Sequence, residues 1–142
     1  LPHEESAGIP LITYVPGLSG GRISEALVSG IDMMPTCLDL AGLPPVEGVD
    51  GKSFAPLVRG ETERAGDAVF SERDQWCMMV NDEWKLAAER QENGLVPTLM
   101  THLQEDPYEL KNLADEPSVS ARREDMLARL TLWDNDVRGL HQ

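Results

Sequence analysis

The chain has 142 residues, room for one domain or one domain with a substantial appendage. Its 41% hydrophobic and 26% charged residues are ordinary for a globular protein, which excludes wholesale disorder and low-complexity architecture. Twelve Lys and Arg against twenty-five Asp and Glu leave a net charge of −13, a field that repels phosphate backbones and anionic headgroups, so neither nucleic acid nor a membrane is an expected partner. No apolar run approaches the ~20 residues of a membrane span, and Leu1 onward lacks the basic and apolar regions of a secretory leader. The opening Leu1-Pro2-His3-Glu4-Glu5 reads as the interior of a longer polypeptide, which leaves the compartment, cytoplasmic or periplasmic/secreted, open.

In chain order, Ile9 to Val15 is a short apolar, partly β-branched run closed by Pro16-Gly17, the pattern of a strand buried on both faces in a parallel sheet. Asp32 is placed to cap a helix that tolerates Pro35 in its first turn, with Ile31, Met34, Leu38 and Ala41 at helical spacing before Gly42 and Pro44-Pro45. Gly48 to Ser53 is turn chemistry, Ser53 to Arg59 a short apolar helical turn, and the polar stretch 60–66 a boundary. Beyond it, Ala68–Glu72, Trp76–Val80, Trp84–Ala88 and Leu99–Leu103 read as four strands of a small antiparallel sheet, with Asn81-Asp82-Glu83 as a hairpin turn. A terminal helix capped by Ser118 carries the stripe Val119, Met126, Leu130, Trp133, Val137 and should lie across the sheet, burying Trp133.

Chemistry is harder to find. Gly51-Lys52-Ser53 imitates the end of a phosphate-binding loop, but that motif needs glycine five residues before Gly51, where Val46 stands. His3, His102 and His141 are too scattered for a helical metal signature, so no metal site is expected. There is no Gly-x-Ser-x-Gly, and Cys37 and Cys77 read as buried structural thiols rather than a disulfide or a nucleophile. The acidic pairs Glu4/Glu5, Glu72/Asp74 and Asp134/Asp136 read as solvated surface in so acidic a chain, as does Arg122-Arg123 beside Glu124-Asp125. The residues on their own describe a foldable chain without a self-contained active site.

The order of motifs says more. His3-Glu4-Glu5-Ser6, then Ile9-Pro10-Leu11-Ile12 and Pro16-Gly17, resembles the sulfatase segment after the last catalytic lysine, where Tyr-Glu-x-x-x-Arg-Val-Pro-Leu-Ile and a Pro-Gly turn recur. Val28 to Leu43 is similar, almost position for position, to that family's Val-Ser-x-Val-Asp-Leu-x-Pro-Thr-Leu-Leu-Asp-Leu-Ala-Gly. Asp50-Gly51-Lys52-Ser53-Phe54-Ala55-Pro56-Leu57 resembles Asp-Gly-x-Ser-Leu-x-Pro-Leu, and Trp84-Lys85-Leu86 its C-terminal hairpin. Leu103 to Ala114 matches Leu-x-x-Asp-Pro-x-Glu-x-x-Asn-Leu-Ala. The chain thus resembles the C-terminal part of a sulfatase of the alkaline phosphatase superfamily.

The resemblance implies an α/β fold in which residues 1–60 are a strand and helix remnant of the large domain and 67–142 form a four-stranded antiparallel sheet packed with a C-terminal helix. It implies that the formylglycine, which needs Cys/Ser-x-Pro-x-Arg, and the calcium ion belong upstream, because neither Cys37 nor Cys77 fits that motif. If His3 takes the family's Tyr position, the catalytic lysine falls just before Leu1, which makes His3 and Glu4 the substrate-proximal residues of an otherwise silent piece. His3 and Gly8, where the family has Tyr and Arg, depart from the pattern. The implied function is to complete a sulfate-ester hydrolase and shape its substrate entrance for a sulfated small molecule or carbohydrate. A related phosphonate or phosphodiester hydrolase, or an autonomous acidic interaction module, are the alternatives. The uncovered apolar sheet edge predicts that the isolated chain self-associates or docks to an upstream domain; light scattering should show species above monomer mass, and a clean monomer at high concentration would contradict this.

Overall fold

The computed structural model describes residues 3–139, so His141 lies outside the described residues. The chain divides into two compact units, one of residues 10–69 and one that joins the first nine residues to everything from Phe70 onward.

The first unit is held more by polar stitching than by a core. A 3-10 turn at Gly30–Asp32 leads into α2 (Met33–Leu40), and α3 (Ala55–Arg59) follows, α1 being a short helix of the other unit. Asp32 does not cap α2 with its side chain as expected. Its carboxylate instead accepts the Ser29 N–H at 2.9 Å and the Lys52 N–H at 2.8 Å, tying the helix entry to the Asp50–Ser53 turn. Thr36 Oγ1 donates to the Asp32 carbonyl and accepts the Phe54 N–H at 3.0 Å, while Asp39 takes Ser53 Oγ at 2.7 Å and Arg59 Nη1 at 3.0 Å. Gly51 is required by close approach: a Cβ there would stand 2.1 Å from the Ile31 carbonyl oxygen. α3 ends at Gly60 with φ 78°, and Arg22 Nη2 donates to the carbonyls of Leu57 and Val58 in its last turn.

The strand expected over Ile9 to Val15 does not form. Among the described residues every strand lies in β1–β4 (Val69–Arg73, Trp76–Val80, Trp84–Gln91, Gly94–His102), so this run has no neighbour to complete a ladder. Ile12, Tyr14 and Ile23 are 93%, 88% and 97% exposed, and only Thr36, Phe54 and Ala55 are buried between residues 10 and 69.

The second unit has a real core. The four strands form one sheet in the order β1-β2-β3-β4, with β2/β3 and β3/β4 antiparallel. Asn81 builds the β2–β3 turn by accepting the Glu83 and Trp84 N–H groups on its side-chain oxygen. The β3–β4 hairpin was not anticipated: β3 runs on to Gln91, which pairs with Gly94, so β4 begins five residues before Leu99. Pro97 is admitted on this edge strand at a bulge, where Ala87 faces Leu99 but Ala88 faces Pro97.

Cys77, Met79, Leu86, Ala88 and Met100 share one face by register, and Met78, Ala87, Leu99 and Lys85 the other. α4 (Ser120–Gly139) packs on the sheet through Met126 and Leu130. Ser118 does not cap it but lies in a 3-10 turn, Pro117–Val119, that leads in. Trp133 is half-buried rather than buried, stacked on Phe70 with centroids 5.2 Å apart. On the opposite face, Ala7 of α1 (Glu4–Ala7) and Trp76 pack against Met78, Ala87 and Leu99.

Leu130→Ala, which empties a fully buried site, should cost about 2–5 kcal/mol. Gly51→Ala should also destabilise, because the Ile31 carbonyl is backbone and cannot swing aside. Thermal or urea denaturation checks both, and unchanged midpoints would contradict them.

Candidate functional site

Five polar side chains meet where α1 packs on the sheet. Lys85, in β3, has no solvent exposure at all, and an ammonium in such a place must be neutralised by close anions. Its Nζ lies 2.7 Å from Glu4 Oε1 and 2.9 Å from Glu109 Oε1, and Thr101 Oγ1 reaches the same Glu109 oxygen at 3.4 Å. Glu109 Oε2 accepts the Glu4 backbone N–H at 2.6 Å and lies 3.6 Å from His3 Nδ1. Glu109 sits at φ 53°, a left-handed conformation unfavourable for a residue with a side chain, so its carboxylate interactions hold a strained turn in place.

The turn carrying Glu109 is itself built by its sequence. Asp106 accepts the Glu109 N–H on its carbonyl at 3.0 Å and the Lys111 N–H on its carboxylate at 2.8 Å. Asn112 accepts the Met100 and Ala114 N–H groups and donates to the Thr98 carbonyl at 2.9 Å, fastening the loop along β4. Each polar residue of Asp106-Pro107-Tyr108-Glu109-Leu110-Lys111-Asn112 that the motif specifies therefore has a structural partner.

A second ion-paired charge joins β3 to α4 and β1. Arg90 Nε donates to Asp134 Oδ1 at 2.8 Å, Arg90 Nη2 also meets Glu72, and Nη1 donates to the Asp74 carbonyl at 2.9 Å. The hydrogen bond to Asp134 raises the pKa of the guanidinium further. Asp134 and Glu4, expected as solvated carboxylates, are thus tied into ion pairs, Asp134 fully so. Burial, and secondarily Asp134, pushes the Cys77 thiol up to about 11, with Arg90 opposing. Cys77 is buried and free as expected, but Cys37 is exposed. A polar cleft of about 620 Å³ opens beside Arg90, lined also by Gln75, Gln91, Glu92, Asn93 and Arg138.

Of the sequence-derived residues, His3 and Glu4 are brought together with Lys85 and Glu109, two partners the sequence reading passed over. The signal for Lys85 lay in the sheet pattern, where it interrupts the apolar first half of β3, Trp84 to Ala88. His102 stands apart, edge-on to Trp84 at 4.4 Å. Gly51-Lys52-Ser53 is a turn, its serine given to Asp39. Among the described residues no three His, Cys, Asp or Glu side chains are gathered to hold a metal ion.

Comparison with known proteins is consistent with this architecture. Residues 1–136 match the family model described as N-sulphoglucosamine sulphohydrolase, C-terminal. Arylsulfatase K of Danio rerio is 30% identical over 151 residues, covering 98% of this chain and 28% of that protein. The multifunctional alkaline phosphatase superfamily protein PehA of Trinickia caryophylli is 29% identical over 92% of this chain and 29% of its own length. Among solved structures, phosphonate monoester hydrolase from Silicibacter pomeroyi superposes with a TM-score of 0.68 at 25% identity, over 91% of this chain and 28% of that one. The chain belongs to the sulfatase C-terminal family, within the alkaline phosphatase superfamily of hydrolases. It spans less than a third of the length of the relatives it matches. Among the described residues no helix is long and apolar enough to cross a membrane.

In the native chain, Cys37 should react with a thiol reagent while Cys77 reacts only after denaturation. The folded Cys77 keeps its proton to about pH 11, whereas an ordinary thiol releases it near 9.0, so between these values the unfolded state binds fewer protons and stability falls as pH rises. Completed, the loss is roughly 2–3 kcal/mol. Cys77→Ala should flatten the decline in melts between these values, and two equally reactive native thiols would contradict the assignment.

Proposed function

We propose that this chain is the C-terminal part of a sulfate-ester hydrolase, silent by itself, that completes the fold and shapes the substrate entrance. The observation that carries the reading is the family match over residues 1–136, in which the motif residues fall on structural contacts rather than on a reactive constellation. The calcium ion and the formylglycine nucleophile belong, in this reading, to upstream sequence that the much longer relatives contain. The exposed apolar residues between 9 and 46, among them Ile9, Ile12, Tyr14, Ile23, Ile31 and Met34, support an upstream domain as the partner of residues 10–69. Transfer of these side chains from water on docking supplies the driving force. His3 and Glu4 are then the residues of this chain nearest the substrate.

A second reading has a specific observation in its favour: the phosphonate monoester hydrolase fold overlays nine-tenths of the chain. Sulfate and phosphonate monoesters demand similar charge stabilisation.

The test is to express the continuous upstream-plus-present reading frame beside the 142-residue piece and assay both with a chromogenic sulfate ester and an aryl phosphonate, with calcium. Sulfate release by the long form alone is expected. A preference for the phosphonate selects the second reading, and activity of the short piece refutes its silence. In the long form His3→Ala should lower turnover, and wild-type turnover would remove His3 from the substrate's surroundings.

A further inference from the structure

The buried cluster on β3 does something that no motif match assigns. Lys85 and Glu109 are both rooted in the sheet unit, one near the start of a strand paired on both sides and the other on a turn fastened to β4 by Asp106 and Asn112. The groups they hold belong to the opposite end of the chain: the Glu4 amide, the Glu4 carboxylate and the His3 ring. α1 is a single turn of four residues, too short to persist without tertiary support, and Ala7 is its apolar contact with the sheet core.

From this we infer that Lys85 and Glu109 are a positioning pair that sets the location of segment 3–8, and through it the presentation of His3 to the substrate. The inference rests on the sulfate-ester hydrolase reading for its second half only. The first half stands on geometry. Glu109 uses both carboxylate oxygens, Oε1 on Lys85 and Oε2 on the Glu4 N–H, so the backbone of the segment is bonded directly to an ion pair that cannot be loosened by solvent. Lys85 in turn takes Glu4 as its second anion, which makes the segment part of the neutralisation of a buried ammonium rather than a surface strap.

Gly8 supplies an independent reason to read the contact as a designed fit. A Cβ at Gly8 would lie 2.6 Å from Glu4 Oε2 and 3.0 Å from the Glu4 carbonyl oxygen, so the absence of a side chain there is what lets the Glu4 carboxylate fold back toward Lys85. The backbone at Gly8 is at φ −80°, open to any residue, so the requirement concerns space and not conformation.

The test uses the full-length product. Hydrogen exchange of the amides of residues 4–8 reports the clamp, and kcat and KM for the chromogenic sulfate ester report its consequence. Glu109→Gln, which keeps shape and removes charge, should raise exchange of these amides by about tenfold or more. It should also lower kcat by roughly tenfold to a hundredfold through misplacement, with KM changed by no more than about threefold. Gly8→Ala, which leaves Lys85 and Glu109 paired and is milder for folding, should shift both readouts in the same direction by less. Arg90→Met weakens the same sheet at the other ion pair and is the comparator: its melting point drops while kcat of the folded enzyme holds. Unchanged exchange at residues 4–8 in Glu109→Gln overturns the clamp. Raised exchange with unchanged kcat overturns the positioning role, as does an equal loss of kcat in Arg90→Met. If the wild-type full-length protein hydrolyses no ester, the functional reading and the positioning of His3 fall together, while the exchange result still decides the clamp.

Discussion

A lysine ammonium with no contact to water is the constraint around which the sheet unit is arranged. Placed on β3, Lys85 has to be neutralised where it sits, and the structure does this with carboxylates from two remote parts of the chain, Glu4 and Glu109. Removing either would leave charge stranded in a medium of low polarisability. The turn around Glu109 therefore accepts a left-handed backbone, and the short helix at Glu4–Ala7 is drawn onto a sheet face it has few other reasons to occupy. The second ion-paired centre, Arg90 with Asp134 and Glu72, works the same way at the other end of the strand, linking helix, sheet and edge.

These contacts give a physical meaning to motifs that identify the family. The carboxylates and amides of Asp106, Glu109 and Asn112 close a turn, neutralise Lys85 and satisfy the backbone of β4. Asp32, Thr36, Asp39, Gly51 and Ser53 likewise knit one helix to one turn, with Gly51 excluded from bearing a side chain by the Ile31 carbonyl. Polar residues used in this manner specify a geometry that apolar packing alone would leave degenerate.

The two units differ in how far they satisfy themselves. The sheet unit buries both faces of its central strands, with α4 on one and Ala7 on the other. Residues 10–69 bury three side chains and leave a series of large apolar ones in water. The run Ile9 to Val15 carries the composition of an interior strand, but a strand is a relation between segments, and no described segment lies beside it to form the ladder. Composition therefore described the environment this run is suited to, not the one it has here.

What the sequence by itself determined is local and periodic. Alternation and β-branching placed β1 and β2 and the start of β3; helical spacing placed α2 and the Met126–Leu130 stripe of α4; and the ordered motifs placed the chain in its family. Asn93-Gly94 at the β3–β4 turn is a readable hairpin signal, but the apolar runs on either side of it read as separate strands. Only the tertiary structure decided which charges are paired. Asp134 sits on a helix among acidic neighbours and Glu4 beside Glu5, and nothing local separates either from a solvated carboxylate. Their partners, Arg90 and Lys85, lie 44 and 81 positions away along the chain, and a pairing over that distance is set by how the sheet brings its two faces to α4 and α1, not by any spacing a linear pattern can hold.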